Sequence, residues 1–345
     1  GYAVARLARD LDGGNHRLGA MATVVSREQT AFTPGVSSPR DHRDATSGGV
    51  DWLFQFADKA YAIDGSVVGT VLAPHADIAD PTLPAGDVYG TAGSLALRKQ
   101  AGIWRTGVSG YWETDRYDPN DLGFLSANDE IYGRGYLQYR YDADGQRSLL
   151  KTSYQYLQFY KSWLYGDQRR VSDTTGEVVW DYDKGHRQGS GLYFDSYNQT
   201  HGYQEIGLAA EHAFAGTSRY ETRSFDGRRG PLMTTAAATW VEGRFQTDWR
   251  RDLVHELEGE VAWDAAGSNR WELSYGLRWN LGRHLVARLS ATYQDRREDA
   301  QWLDNLADPE RGIDGVAYVF GRLDQQILDA TLRASWLFDR DTSLE

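Results

Sequence analysis

The run Arg270–Gln294, RWELSYGLRWNLGRHLVARLSATYQ, decides the fold. Trp271, Leu273, Tyr275, Leu277, Trp279 and Leu281 alternate with Glu272, Ser274, Gly276, Arg278 and Asn280. After a turn at Gly282-Arg283-His284, Leu285, Ala287, Leu289, Ala291 and Tyr293 alternate with Val286, Arg288, Ser290, Thr292 and Gln294. Period two is the signature of a β-strand with one apolar and one polar face. These strands are tall and aromatic, so something must cover their apolar side.

The alternation recurs along the chain. Ala237, Thr239, Val241, Gly243, Phe245, Thr247 and Trp249 face away from Trp240, Glu242, Arg244, Gln246, Asp248 and Arg250. Leu257, Gly259, Val261 and Trp263 alternate with Glu256, Glu258 and Glu260. Leu328 to Phe338 and Val50 to Phe56 behave alike. Roughly sixteen such segments exist, many about ten residues long, the length of a tilted membrane-spanning strand. No stretch of comparable length has helical period.

Connections alternate in length. Short turns are expected at 12–15, 57–59, 143–146, 250–252, 282–284 and Gln325-Gln326. Long polar segments are expected at about 29–48, 73–88, 114–130, 164–186, 222–234 and 295–314, with a join of intermediate length at 265–269. In an up-and-down meander this puts long loops at one rim and tight turns at the other, the asymmetry of outer-membrane barrels. Lipid then covers the apolar face. Trp249, Trp263, Trp271, Trp279, Trp336 and Phe338 are placed at the membrane interfaces. The expected fold is all-β, an antiparallel up-and-down transmembrane β-barrel of roughly sixteen or more strands, one domain over 1–345. The ends read as cut, so the chain is taken as a fragment lacking terminal strands. A soluble β-propeller with a glycan-binding face is the competing architecture, but no repeat of about 40–50 residues is visible.

Composition agrees. A net charge of −12 argues against a partner read through its phosphates, so no nucleic acid is expected. With no Cys there is neither disulfide framework nor thiolate metal site. Twelve Trp and 21 Tyr suit interfacial belts.

Candidate chemistry is sparse. Glu256, Glu258 and Glu260 are expected to line a lumen and face Arg244, Arg250, Arg278 and Arg288 on neighbouring strands as a charge ladder. The alternative use of these carboxylates is glycoside chemistry. Asp118, Asn120, Asp121 and Asp129 offer oxygen ligands of the kind Ca²⁺ takes, although Asx turns and Pro119 explain the same residues. Otherwise no cofactor is expected. Hydrolase motifs such as Gly-x-Ser-x-Gly and His-Glu-x-x-His are absent. His212 and His255 fall on the mainly apolar face, and a triad assembled in space stays open. Tyr111, Trp112, Tyr117 and Phe124 border one long loop, and Trp163, Tyr165, Trp180 and Tyr182 another. They suit either sugar stacking or an upper aromatic girdle, and the girdle is the better fit.

Several blocks resemble a known family: Gly49-Val50-Asp51-Trp52, AYAIDGSVVGT (60–70), YDPNDLGF (117–124), FDGRRGP (225–231) and YVFGRLDQQILDATLR (318–333). They are similar to domain-of-unknown-function family 5916, the β-barrel portion of larger bacterial outer-membrane proteins. A carbohydrate-binding module similar to family 9 usually precedes that barrel, and nothing here matches it. The resemblance implies the bacterial outer membrane, the lipid bilayer as partner and a link to polysaccharide or oligosaccharide. It carries over no catalytic residue. The expected function is a pore or surface anchor; the alternative is a membrane-embedded hydrolase of glycans or lipids.

Overall fold

The computed structural model describes residues 1–28, 43–75, 86–119, 121, 130–143, 148–164, 187–218, 233–282, 284–310, 312, 315–338 and 343–344. In chain order the strands are β1 (Tyr2–Leu11), β2 (His16–Val25), β3 (Arg43–Phe56), β4 (Tyr61–Pro74), β5 (Val88–Lys99) and β6 (Trp104–Glu113). Then come β7 (Glu130–Asp142), β8 (Leu150–Leu164), β9 (Arg187–Thr200), β10 (Glu205–Ala213), β11 (Gly216–Ser218) and β12 (Met233–Thr235). The last are β13 (Ala238–Gln246), β14 (Leu253–Asp264), β15 (Asn269–Leu281), β16 (Leu285–Ala307), β17 (Val316–Leu337) and β18 (Ser343–Leu344). Among the described residues there is no α-helix.

Consecutive long strands pair antiparallel from β1 through β10, β10 pairs with β13, and the meander runs on to β18. The short β11 pairs with β12 and with the start of β9. Among the described residues no ladder joins β1 to β17 or β18, so those strands are the two ends of one sheet.

The register keeps each face pure across the sheet. Leu97 lies opposite Val108, and Leu137 opposite Leu157, which lies opposite Phe194. Phe245 lies opposite Leu257, Val261 opposite Trp271, and Leu277 opposite Leu289, which lies opposite Leu332. A slip of one residue anywhere would turn a whole strand over. These apolar side chains are covered by no other part of the described protein: Leu97 is 45% exposed, Leu157 48%, Leu257 45% and Leu332 75%.

Aromatic rings border this apolar band at both rims. At the short-turn rim stand Phe56, Tyr61, Trp104, Trp249, Trp279 and Trp336, the last stacked on Phe338 at 5.9 Å. At the long-loop rim stand Trp112, Trp163, Trp263 and Trp271, with the ammonium of Lys161 5.4 Å from the Trp163 ring. Gly93 makes room for Trp112, because a Cβ there would come within 2.1 Å of the indole. Along β15 the two tryptophan levels, Trp271 and Trp279, are eight residues apart. That is roughly 26 Å along a strand at about 3.3 Å per residue, or about 20 Å along the membrane normal at a tilt of about 40°, which fits within the apolar band of about 25 Å of an outer-membrane barrel.

Four connections differ from expectation. Residues 295–307 continue β16, and the predicted turn at Gln325-Gln326 lies inside β17, where Gln325 pairs with Arg296 and Gln326 with Asp295. Asp295 also accepts a side-chain hydrogen bond from Gln326 at 2.9 Å. Around this point of the ladder both faces are polar, with Asp295, Arg296, Arg297, Gln325 and Gln326 in succession, so the period-two pattern fades although the ladder does not. Irregularities between Glu298 and Asp304 mark the same stretch. The join at 265–268 is a tight turn, closed by Asp264, whose carboxylate accepts from the Ala266 and Ser268 backbone N–H groups at 2.9 Å each. β3 begins at Arg43, within the segment read as a long loop.

Candidate functional site

The polar face carries the candidate site. At its long-loop rim the chain leaving β6 turns back over β2–β5. Thr114 extends the ladder to Thr91, and the Tyr117 N–H bonds the Thr114 carbonyl at 3.0 Å. Tyr117 and Asp118 then lie against the polar face. A Cβ on Gly90 would sit 2.3 Å from the Tyr117 Cα and from the Arg116 oxygen, so only glycine admits this approach. Beneath lies a small apolar cluster of Val25, Ala45, Leu72 and Val88, all from the same face.

Charge fixes the segment. Arg43 is 1% exposed, and its Nη2 donates to Asp118 Oδ2 at 2.7 Å and to Asp121 Oδ2 at 2.9 Å. Arg27 Nη2 pairs with the other Asp121 oxygen at 2.7 Å. The Asp118 backbone N–H reaches Thr70 Oγ1 at 3.3 Å. Tyr117, Asp118 and Asp121 of the sequence block thus belong to a bent-in segment that follows β6. Of the four residues considered for Ca²⁺, Asp118 and Asp121 are engaged by guanidinium groups, while Asn120 and Asp129 fall outside the described residues. Among the described residues no cluster of three or more His, Asp or Glu side chains is spaced to hold a metal.

The expected charge ladder shares the polar face, but its pairs differ. Arg244 is opposite Glu258 in the register, yet its side chain crosses Gly207 and approaches Asp195 at 3.8 Å. Glu256 accepts from Gln246 at 2.6 Å, and Glu260 is ion-paired with Arg270. Arg270 was missed as a ladder member, although its position two residues before Glu272 on the same face marks it as one. Glu242, Glu260 and Glu272 stand side by side on β13, β14 and β15. Nearer the short turns, Arg278, Arg288 and Arg333 stand side by side on β15, β16 and β17. Arg278 donates to the Trp249 carbonyl at 2.5 Å. The carboxylates, with Arg244 and Arg270 among them, thus stand at one height and the arginine row at another, nearer the short turns. A recess of about 420 Å³ opens between Glu205, Glu256, Glu258 and Arg244, over the small residues Gly207 and Gly276.

On β6–β13 the polar face is a wall of tyrosine. Tyr111 stacks on Tyr132 at 5.0 Å and Tyr132 on Tyr160 at 6.2 Å. A second row runs Tyr136, Tyr156, Tyr193, Trp240 at 5.5, 6.2 and 6.2 Å. Of the loop-bordering aromatics, Tyr111 and Tyr117 belong to the polar face and Trp112 and Trp163 to the outer girdle. Phe124, Tyr165, Trp180 and Tyr182 are outside the described residues.

Of the sequence blocks, FDGRRGP (225–231) lies outside the described residues. Residues 33–345 match a family model. The chain belongs to that family, a domain of unknown function (DUF5916). No curated protein matches it. Among solved structures, this DUF5916 chain is similar to the anion-selective porin from Comamonas acidovorans (8% identity, 97% of this chain and 99% of that one, TM-score 0.37). It is also similar to BauA, the ferric preacinetobactin receptor from Acinetobacter baumannii (10% identity, 98% of this chain, TM-score 0.35), and spans about half of that receptor's length, 52%. A third similar structure is a Pseudomonas aeruginosa FadL homologue (11% identity, 96% of this chain and 75% of that one, TM-score 0.26).

His212 and His255 of this DUF5916 chain bond hydroxyls on the apolar face. His212 Nδ1 lies 2.8 Å from Thr239 Oγ1, and His255 Nδ1 lies 2.8 Å from the Tyr275 hydroxyl. Neither contact is the serine–histidine–carboxylate arrangement that nucleophilic hydrolysis needs.

At the short-turn rim, Asp248 accepts from Arg250 Nε and Nη2, both at 2.9 Å, and from the Arg250 backbone N–H at 3.1 Å. Arg250 also lies over the Tyr203 ring at 3.3 Å, tying the β13–β14 turn to the β9–β10 turn. The Arg250 hydrogen bonds hold the Asp248 carboxyl down to about 2. A depressed carboxyl stabilises the fold above its unfolded value of about 4, and the effect is lost as pH falls through the folded value. Asp248→Asn should therefore lower the temperature at which the folded band is lost on a gel at pH 7. The difference from wild type should shrink as pH falls from about 4 toward 2.

Proposed function

We propose that the chain is an outer-membrane β-barrel that forms a water-filled pore, its lumen lined by the polar face and narrowed by the bent-in segment 114–119 that follows β6. One observation carries this reading: an apolar belt, in register on consecutive long strands, exposed along the described sheet and bordered by aromatic rings at both rims. A belt of this size in water would drive association; in a bilayer it is the surface that lipid requires. A sheet can occupy hydrocarbon only if its edges pair, because unpaired backbone groups there cost several kcal/mol each. The lipid environment therefore calls for ring closure. The lumen then holds a carboxylate tier (Glu242, Glu256, Glu258, Glu260, Glu272) above an arginine tier (Arg278, Arg288, Arg333), and the first favours cations along the wall.

The protein, reconstituted from mild detergent, should run faster unboiled than boiled on an SDS gel and conduct ohmically in planar bilayers. Replacing Glu256, Glu258 and Glu260 together by Gln should move the reversal potential under a salt gradient toward anion preference. A shifted band with no conductance would make the barrel a surface anchor. Recovery in the soluble fraction with no band shift would overturn the membrane reading.

A further inference from the structure

We infer that the tyrosine wall on β7–β10 is a binding site for a neutral oligosaccharide in transit through the pore, an inference that rests on the pore reading. The wall encloses a recess of about 440 Å³ lined by Tyr132, Tyr156, Tyr160 and Tyr193, with Arg134, Gln158 and Glu211 among them. Small-molecule sites commonly measure roughly 300–1,000 Å³.

Its chemistry selects the ligand class. One guanidinium and one carboxylate leave the recess without net charge, so it has no field to hold an ion. Most of its polar groups are already oriented by a neighbour. Tyr160 donates to Glu211, which also accepts from Trp240 Nε1 at 3.1 Å. The Tyr156 hydroxyl donates to Gln158 Oε1 at 2.7 Å, and Arg134 Nε donates to Ser109 at 3.0 Å. The result is a rigid surface of apolar ring carbon studded with alternating donors and acceptors. A pyranose offers the complement: apolar C–H patches between hydroxyls that both donate and accept. The rings run in two rows across successive strands rather than in one pocket, which suits a chain of sugar units over a single one. Stacking fixes the rings in advance, so little side-chain entropy remains to be lost on binding.

The test is isothermal titration of the folded protein with neutral hexasaccharides (maltohexaose, cellohexaose and xylohexaose), in a detergent without a sugar headgroup. Conductance is recorded separately in bilayers. Saturable heat with at least one of the three is expected. Tyr156→Ala and Tyr193→Ala should each weaken it about tenfold, roughly 1.4 kcal/mol, while Tyr156→Phe weakens it less. All variants should keep the heat-modifiable band. If Tyr156→Ala fails to fold, Tyr156→Phe and Gln158→Leu carry the comparison. Conductance without any sugar binding, or binding that is unchanged in the wall variants, overturns this inference and leaves the pore intact. Binding without conductance supports the site and overturns the pore.

Discussion

Arg43→Met should raise single-channel conductance and make the open level noisy, because it cuts two of the ion pairs that hold the bent-in segment against β2–β5 and leaves Asp121 only Arg27. Arg43 is buried and serves Asp118 and Asp121 together. Removing one partner of a buried ion pair costs about 3–5 kcal/mol, since the remaining charges are stranded. Here those charges have an escape. The segment can swing off the polar face and hydrate Asp118 and Asp121, so the cost falls on the local contact while the ladders that build the sheet persist. The variant should keep its unboiled gel shift, and a current recording distinguishes the outcomes. Unchanged conductance with a retained shift would mean that the segment does not narrow the lumen. Gly90→Ala should act in the same direction by pushing Tyr117 away.

Leu257→Arg should be far more damaging than Glu258→Arg, although the residues adjoin. Leu257 sits in the apolar belt between Phe245 and Tyr275, and Glu258 lies on the polar face between Arg244 and Ser274. A guanidinium on the lipid side of a barrel costs about 2–4 kcal/mol near the bilayer midplane. On the lumen side it meets water and the carboxylate tier. Equilibrium unfolding in urea from lipid vesicles should show the Leu257 variant destabilised by that order and the Glu258 variant little changed. Equal effects would remove the distinction between the two faces.

The strands were legible because one face must be apolar and the other wet, and side chains record that constraint at every second position. The extended β16–β17 hairpin was not legible because that record lapses around Asp295: both faces are polar there, and Arg296, Arg297, Gln325 and Gln326 look like loop. The polar face was readable as a face but not as a set of partners. Glu258 and Arg244 are register neighbours, yet Gly207 offers Arg244 a groove toward Asp195, a preference set by strand β10 and invisible from β13 and β14 alone. The anchoring of Asp118 by Arg43 joins residues 75 positions apart and leaves no local pattern. The tyrosine wall was half visible: the rings could be counted, but their assembly on one face required the pairing of β6 through β10.

The membrane-facing belt is tested most directly by nitroxide scanning of β14, which the lack of native cysteine makes simple. Single cysteines placed from Val254 to Trp263 would be labelled in lipid vesicles and their accessibility to oxygen and to a water-soluble nickel complex compared. Oxygen should dominate at His255, Leu257, Gly259 and Val261, and nickel at Glu256, Glu258 and Glu260, in strict alternation. Nickel access at every position, with no oxygen maximum on the leucine–valine side, would contradict the barrel in lipid.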